Sequence, residues 1–178
     1  MVLFFRWSPV KLMGALMAVL VVLTLGGCAA TSTTVVDEEV VTNQKPMSSY
    51  KSLIIRDFEL PKDLLGDVPE NRMGDRDRAY SRMPSELSQS IERYVKSRRG
   101  FHTVARAGQP SAGTLVLSGS FTRVGRFRIS ITGTLHDGAS NQEVAYFRQT
   151  LWDVVDTTAM INLLGRETAD FIDRIQYK

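Results

Sequence analysis

The chain has 178 residues, with 22 basic against 19 acidic side chains and a formal net charge of +3. That length suits one domain with a sizeable core, and the near balance of charge gives no argument for nucleic-acid binding. A single cysteine excludes an intrachain disulfide, so the fold must stand on its core alone.

Residues 1–27 read as an export signal. Arg6 and Lys11 form the positive flank, Leu12 to Leu25 is an apolar run, and Gly26 and Gly27 precede Cys28. The competing reading is an uncleaved membrane anchor. A spanning helix needs about 20 apolar residues, and here the apolar run stops near Leu25, where Gly-Gly weakens a helix. Leu25-Gly26-Gly27-Cys28 resembles the lipobox of bacterial lipoproteins. The likeness implies cleavage between Gly27 and Cys28, with a diacylglycerol and an N-acyl chain on Cys28 as the covalent lipid. Ala29 rather than Asp at the next position implies the outer membrane as destination. Several acyl chains anchor durably where one does not. Without Arg6 and Lys11 the remaining chain is close to neutral.

Residues 28–49 read as the lipidated N-terminus and a flexible tether, with Thr31-Ser32-Thr33-Thr34 polar, Asp37-Glu38-Glu39 acidic and Lys45-Pro46 breaking regular structure. Val35-Val36 and Val40-Val41 leave a short strand open as an alternative. The domain proper is expected over residues 50–178. Its first strand is Ser52 to Phe58, rich in branched residues. Pro61 to Asp77 shows no firm period and reads as a loop.

Arg82 to Arg99 is expected as a helix. Pro84 and Ser85 suit its first turn, Gly100 suits its end, and Leu87, Ile91, Tyr94 and Val95 share one face. A short strand follows at Phe101 to Ala105. Thr114 to Val124 alternates as the next strand, and Gly125-Arg126 makes a tight connection. Phe127, Ile129, Ile131 and Gly133 then alternate against Arg126, Arg128, Ser130 and Thr132, a strand with one wet face. His136 to Asn141 signals a turn, and Glu143 to Val154 returns as a third antiparallel strand. The last helix is Thr157 to Gln176, with Met160, Ile161, Leu164, Thr168, Phe171, Ile172 and Ile175 inward and Gly165 allowing close approach to the sheet.

The order β-α-β-β-β-β-α predicts an α+β two-layer domain, with two helices on one face of a mostly antiparallel sheet. The Leu53-Ile54-Ile55 strand, the Leu115-Val116-Leu117-Ser118-Gly119 strand, the Leu135-His136-Asp137-Gly138 turn and the amphipathic last helix resemble uncharacterised bacterial lipoproteins of DUF4410-like type. They are also similar in outline to the domain shared by the curli-secretion lipoprotein, the N-terminal part of TolB, and LpoB. The resemblance implies a binding module and carries no catalytic motif.

Neither His102 nor His136 has a partner at zinc-ligand spacing, and no metal or cofactor is expected beyond the lipid on Cys28. Asp156 or Thr157 suits the cap of the last helix, while Asp153 stands near it without a sign of paired-carboxylate chemistry. Arg123, Arg126, Arg128 and Arg148 cluster around one strand-turn-strand region, with Tyr146 and Trp152 nearby. They are read either as a solvated sheet face or as a surface for an anionic partner, such as phosphorylated lipids or an acidic protein. The expected function is a non-enzymatic, outer-membrane-anchored, periplasm-facing lipoprotein binding a partner in envelope assembly, secretion or transport. The alternatives are an envelope enzyme acting on glycan, lipid or peptide, and a self-assembling subunit whose open sheet edge pairs with further copies.

Overall fold

Alternating and branched residues build six strands among the described residues: β1 (Thr34–Val41), β2 (Ser52–Ile55), β3 (Thr103–Ala105), β4 (Thr114–Val124), β5 (Arg128–Asp137) and β6 (Glu143–Trp152). Two helices join them, α1 (Asp75–Arg98) and α2 (Thr157–Gln176). The computed structural model describes residues 34–42, 45–64, 74–125, 127–152 and 156–176. The expected export signal, with Gly27 and Cys28, lies outside the described residues, as do Arg126 and Asp153.

The sheet runs in the order β1-β6-β5-β4-β2-β3. β4, β5, β6 and β1 form antiparallel neighbours, while β2 pairs in parallel with both β3 and β4. The sheet is therefore mixed. The parallel step from β2 to β3 is crossed by α1, because parallel neighbours cannot be joined by a tight turn. Both helices pack on one face of the sheet and against each other, which is the α+β two-layer architecture expected.

The inner face is mostly apolar by alternation, with Gln149 buried within it and accepting from the Thr168 hydroxyl of α2 at 3.2 Å. Leu117 pairs with Leu135, Phe121 with Ile131, and Ile129 with Leu151, all fully buried. Against them α1 sets Met83, Leu87 and Ile91, at spacings of four. α2 sets Leu164, Phe171 and Ile172. Burying each such side chain contributes about 2 kcal/mol. At Gly133 the Phe147 ring of the paired strand lies where a Cβ would stand, so the sheet needs glycine there.

Three departures from the sequence pattern have physical causes. β1 lies within the segment expected as tether. It pairs along β6 from Thr34 opposite Leu151 to Val41 opposite Ala145, with a bulge between Val36 and Glu38 that hides its alternation. The strand left open by the two Val-Val pairs is thus formed. α1 begins at Asp75 rather than Arg82, so Pro84 sits inside it. Asp77 accepts a hydrogen bond from the Gly74 amide at 3.2 Å, and the buried Tyr80 and Met83 hold the added turns against the core. That burial offsets the roughly 3 kcal/mol a mid-helix proline costs. Gly165 faces α1 rather than the sheet: a Cβ there would stand 2.5 Å from Ser90 Oγ and 2.6 Å from Ser90 Cβ.

Smaller shifts follow the same logic. α1 ends with Arg99, not Gly100, in the left-handed region at φ 58°. Phe127 precedes β5 instead of joining its apolar row and is 67% exposed. Ser130, expected on the wet face, is buried beside Thr150 at 3.0 Å. Thr150 donates its hydroxyl proton to Asp37 of β1, so Ser130 donates to Thr150. β1 supplies the acceptor that makes this burial tolerable.

Candidate functional site

The sheet face opposite the two helices is polar by the same alternation that makes the inner face mostly apolar. Ser118 pairs with Thr134, Ser120 with Thr132, and Arg123 with Ser130 across β4 and β5. Arg128 pairs with Trp152, Ser130 with Thr150, and Thr132 with Arg148 across β5 and β6. Directly opposite residues share a face, so Arg123, Arg128, Arg148 and Trp152 all project from this side.

They form two groups, not one. Arg123 and Arg128 are diagonal neighbours through Ser130, about 7 Å apart at the backbone. The Arg128 guanidinium lies over the Trp152 ring, 4.5 Å from its centroid. Trp152 is 45% exposed in spite of that cover. Beside them Phe127 is exposed at the start of β5. One end of the sheet thus carries two cations and two exposed aromatic rings. Arg126 belongs to the same stretch of sequence but lies outside the described residues.

Arg148 stands apart, four residues up β6 from Trp152. It faces Glu38 of β1 in register, and its Nη2 donates to Tyr146 Oη at 3.4 Å. That hydrogen bond is the main cause holding its pKa above the ordinary arginine value, with Glu38 and Asp37 adding attraction. Arg148 therefore serves the attachment of β1.

Phe127 is the member of the group that alternation misplaced. Its signal is its position between Arg126 and Arg128 immediately after the Gly125 turn. A residue in a hairpin tip has no inner face to occupy.

The histidines are not brought together. His102 is exposed before β3, with its amide bonded to the Lys51 carbonyl at 2.8 Å. His136 belongs to β5 rather than to the turn, and faces Val116 and Glu143. Two strands, β2 and β4, lie between the two histidine-bearing elements. Asp156 accepts from the amides of Thr158 and Ala159 at 2.9 and 3.2 Å and caps α2. Among the described residues, no three His, Cys, Asp or Glu side chains are grouped to hold a metal ion.

The most deeply placed carboxylate is Asp137, at the β5–β6 turn. It accepts from Lys45 Nζ at 2.8 Å, Tyr50 Oη at 2.9 Å, and the amides of Ala139 and Ser140 at 2.9 Å each. The Lys45 bond is the first cause holding its pKa well below the carboxylate range. Burial first, and then the Asp137 carboxylate, push the Tyr50 hydroxyl up to about 12. Asn141 closes the turn in the left-handed region at φ 57°. A carboxylate with four donors is held ionised and has no proton to give, so Asp137 ties the chain before β2 to the hairpin turn. A cleft of about 410 Å³ beside it is lined by Thr42, Lys45, Gln142 and Glu143. A second groove, of about 500 Å³, opens between α1 and α2 where Asn162 receives both Ser90 and Arg93.

No known family model matches the chain, and no curated protein matches it. Solved structures match its fold. A dodecamer of a PelC variant from Paraburkholderia phytofirmans aligns at a TM-score of 0.53 and 12% identity, covering 80% of this chain and 97% of that one. The PelC dodecamer in another crystal form aligns at 0.51 and 9% identity, with the same coverage. A Xanthomonas campestris protein of the DUF330 family aligns at 0.45 and 12% identity, covering 76% of this chain and 87% of that one. At these identities the likeness is one of fold.

Proposed function

We propose that this protein is a lipid-anchored, non-enzymatic subunit of the bacterial outer membrane, facing the periplasm, that assembles with copies of itself in an envelope assembly, secretion or transport process. The observation that carries this reading is the outer edge of β1. Among the described residues, seven of its eight residues pair with β6 and no strand pairs on the other side, and Val36, Val40 and Val41 are exposed at 44%, 38% and 42%. An unpaired, partly apolar strand edge is a template for strand addition. The fold shared with the PelC dodecamers supports self-association as the use of that edge. The Leu25-Gly26-Gly27-Cys28 pattern supports a lipid anchor six residues before Thr34. The DUF4410-like assignment belongs to the same proposal. The commitment of Asp137 to four donors supports a binding module over an enzyme.

The test uses the full chain extracted in detergent. The Thr42 amide bonds inward to Val144, so by alternation the Val41 amide faces the open edge. Val41→Pro then blocks strand addition without breaking the ladder to β6. Sedimentation should show an oligomer for the wild type and a monomer for Val41→Pro, with equal far-ultraviolet circular dichroism. A monomeric wild type would overturn self-assembly, and an oligomeric Val41→Pro would overturn the edge as its contact. Palmitate labelling of wild type against Cys28→Ser tests the anchor separately.

A further inference from the structure

We infer that the end of the sheet formed by Arg123, Phe127, Arg128 and Trp152 rests on an anionic phospholipid surface. This rests on the lipid anchor at Cys28 proposed above.

The argument begins with reach. Thr34 is six positions after Cys28. A chain spans at most about 3.5 Å per residue, so Thr34 lies within roughly 20 Å of a lipidated Cys28. Thr34 is therefore the point of the domain held nearest the bilayer.

The sheet register then says what accompanies it. Thr34 faces Leu151, and Leu151 faces Ile129. Adjacent strands are about 4.8 Å apart, so Thr34 and Ile129 are about 10 Å apart across the sheet. The next pair outward is Arg128 with Trp152, and Phe127 comes one residue beyond. β4 arrives at the same end with Arg123 and Val124. The opposite end holds the Asp137 turn and the start of β2. A short anchor thus brings this end, and not the other, against the membrane.

The chemistry of that end fits the surface it would meet. Exposed Phe and Trp rings favour the boundary between headgroups and acyl chains. Arg123 and Arg128 match the phosphates of anionic lipids. Stacking on Trp152 fixes the Arg128 guanidinium beside the ring, so the cation and the apolar body reach the interface together. An acidic protein would account for the arginines but not for Phe127 at 67% exposure beside them.

Trp7 and Trp152 are the two tryptophans of the chain. Cleavage before Cys28 removes Trp7, so the processed protein, purified from membranes, carries Trp152 as the sole reporter. It is reconstituted into vesicles of phosphatidylethanolamine and phosphatidylglycerol, with acyl chains either plain or brominated near the headgroup. The expected result is a loss of Trp152 emission in the brominated vesicles. Phe127→Asp and Arg123→Glu should each restore emission with unchanged circular dichroism, while Lys51→Glu at the far end should leave the loss in place. Equal emission in both vesicles, in protein that carries palmitate on Cys28, would overturn the contact and leave the anchor standing. Unlabelled, uncleaved protein would overturn the anchor and this inference with it.

Discussion

Tyr50 donates its phenolic proton to Asp137 across 2.9 Å, joining residues 87 apart in sequence. Lys45 reaches the same carboxylate oxygen. The segment between β1 and β2 is fixed to the β5–β6 turn by these two contacts, and the two groups titrate in opposite directions.

Asp137 is held ionised, its pKa below the ordinary carboxylate range. The folded state binds its proton less readily than the unfolded chain, whose Asp titrates near 3.9. The stabilisation is therefore complete above about pH 5 and is lost as pH falls below that unfolded value. Asp137→Asn should cost about 2 kcal/mol at neutral pH. It should also flatten the acid limb of stability, read by urea unfolding at stepped pH.

Tyr50 behaves as the mirror case, with its hydroxyl raised to about 12. The folded state keeps a proton that the unfolded chain releases near pH 10. Stability should fall as pH rises from 10 towards 12. Tyr50→Phe should cost about 1.5 kcal/mol at pH 7 and remove its part of the alkaline loss, measured by circular dichroism.

Gly165→Ala should destabilise even though alanine is the better helix former by about 1 kcal/mol. The added Cβ would stand 2.6 Å from Ser90 Cβ, which cannot swing away as a flexible side-chain end would. Overpacking of this kind costs about 1–3 kcal/mol. Ser90→Gly combined with Gly165→Ala should recover part of the loss, giving a favourable coupling in a double-mutant cycle.

Arg174 of α2 bonds to Glu39 of β1. Arg174→Ala should change global stability by no more than about 0.5 kcal/mol, because the pair is largely solvated. Amide exchange should speed up in β1 and remain unchanged in β4 and β5. Equal acceleration across the sheet would refute a local role.

Legibility from sequence followed the strength of the period. α2 begins and ends where its apolar spacing said, because nine of its residues are buried in one continuous stripe and Asp156 marks its start. β4 matches its expected bounds for the same reason. β1 was harder to read, because an edge strand buries little and its bulge breaks the alternation. Arg123 and Arg128 fall together by local spacing across one turn. Arg148 could be separated from them only by the β5–β6 register, which places it opposite Thr132. The Asp137 turn was legible, whereas Tyr50 and Lys45 reach it through tertiary contacts that no local pattern encodes.

The pairing of β1 with β6 also sets a schedule. Among the described residues, the first strand has its one sheet partner in the last, since Thr34 meets Leu151. As the chain emerges, residues 34–41 cannot lock into the sheet until β6 up to Leu151 has emerged. In the lipid-anchored protein proposed above, acylating and cleaving enzymes would meet an unpaired stretch until then. Once β6 arrives, residues 34–41 are claimed by the sheet.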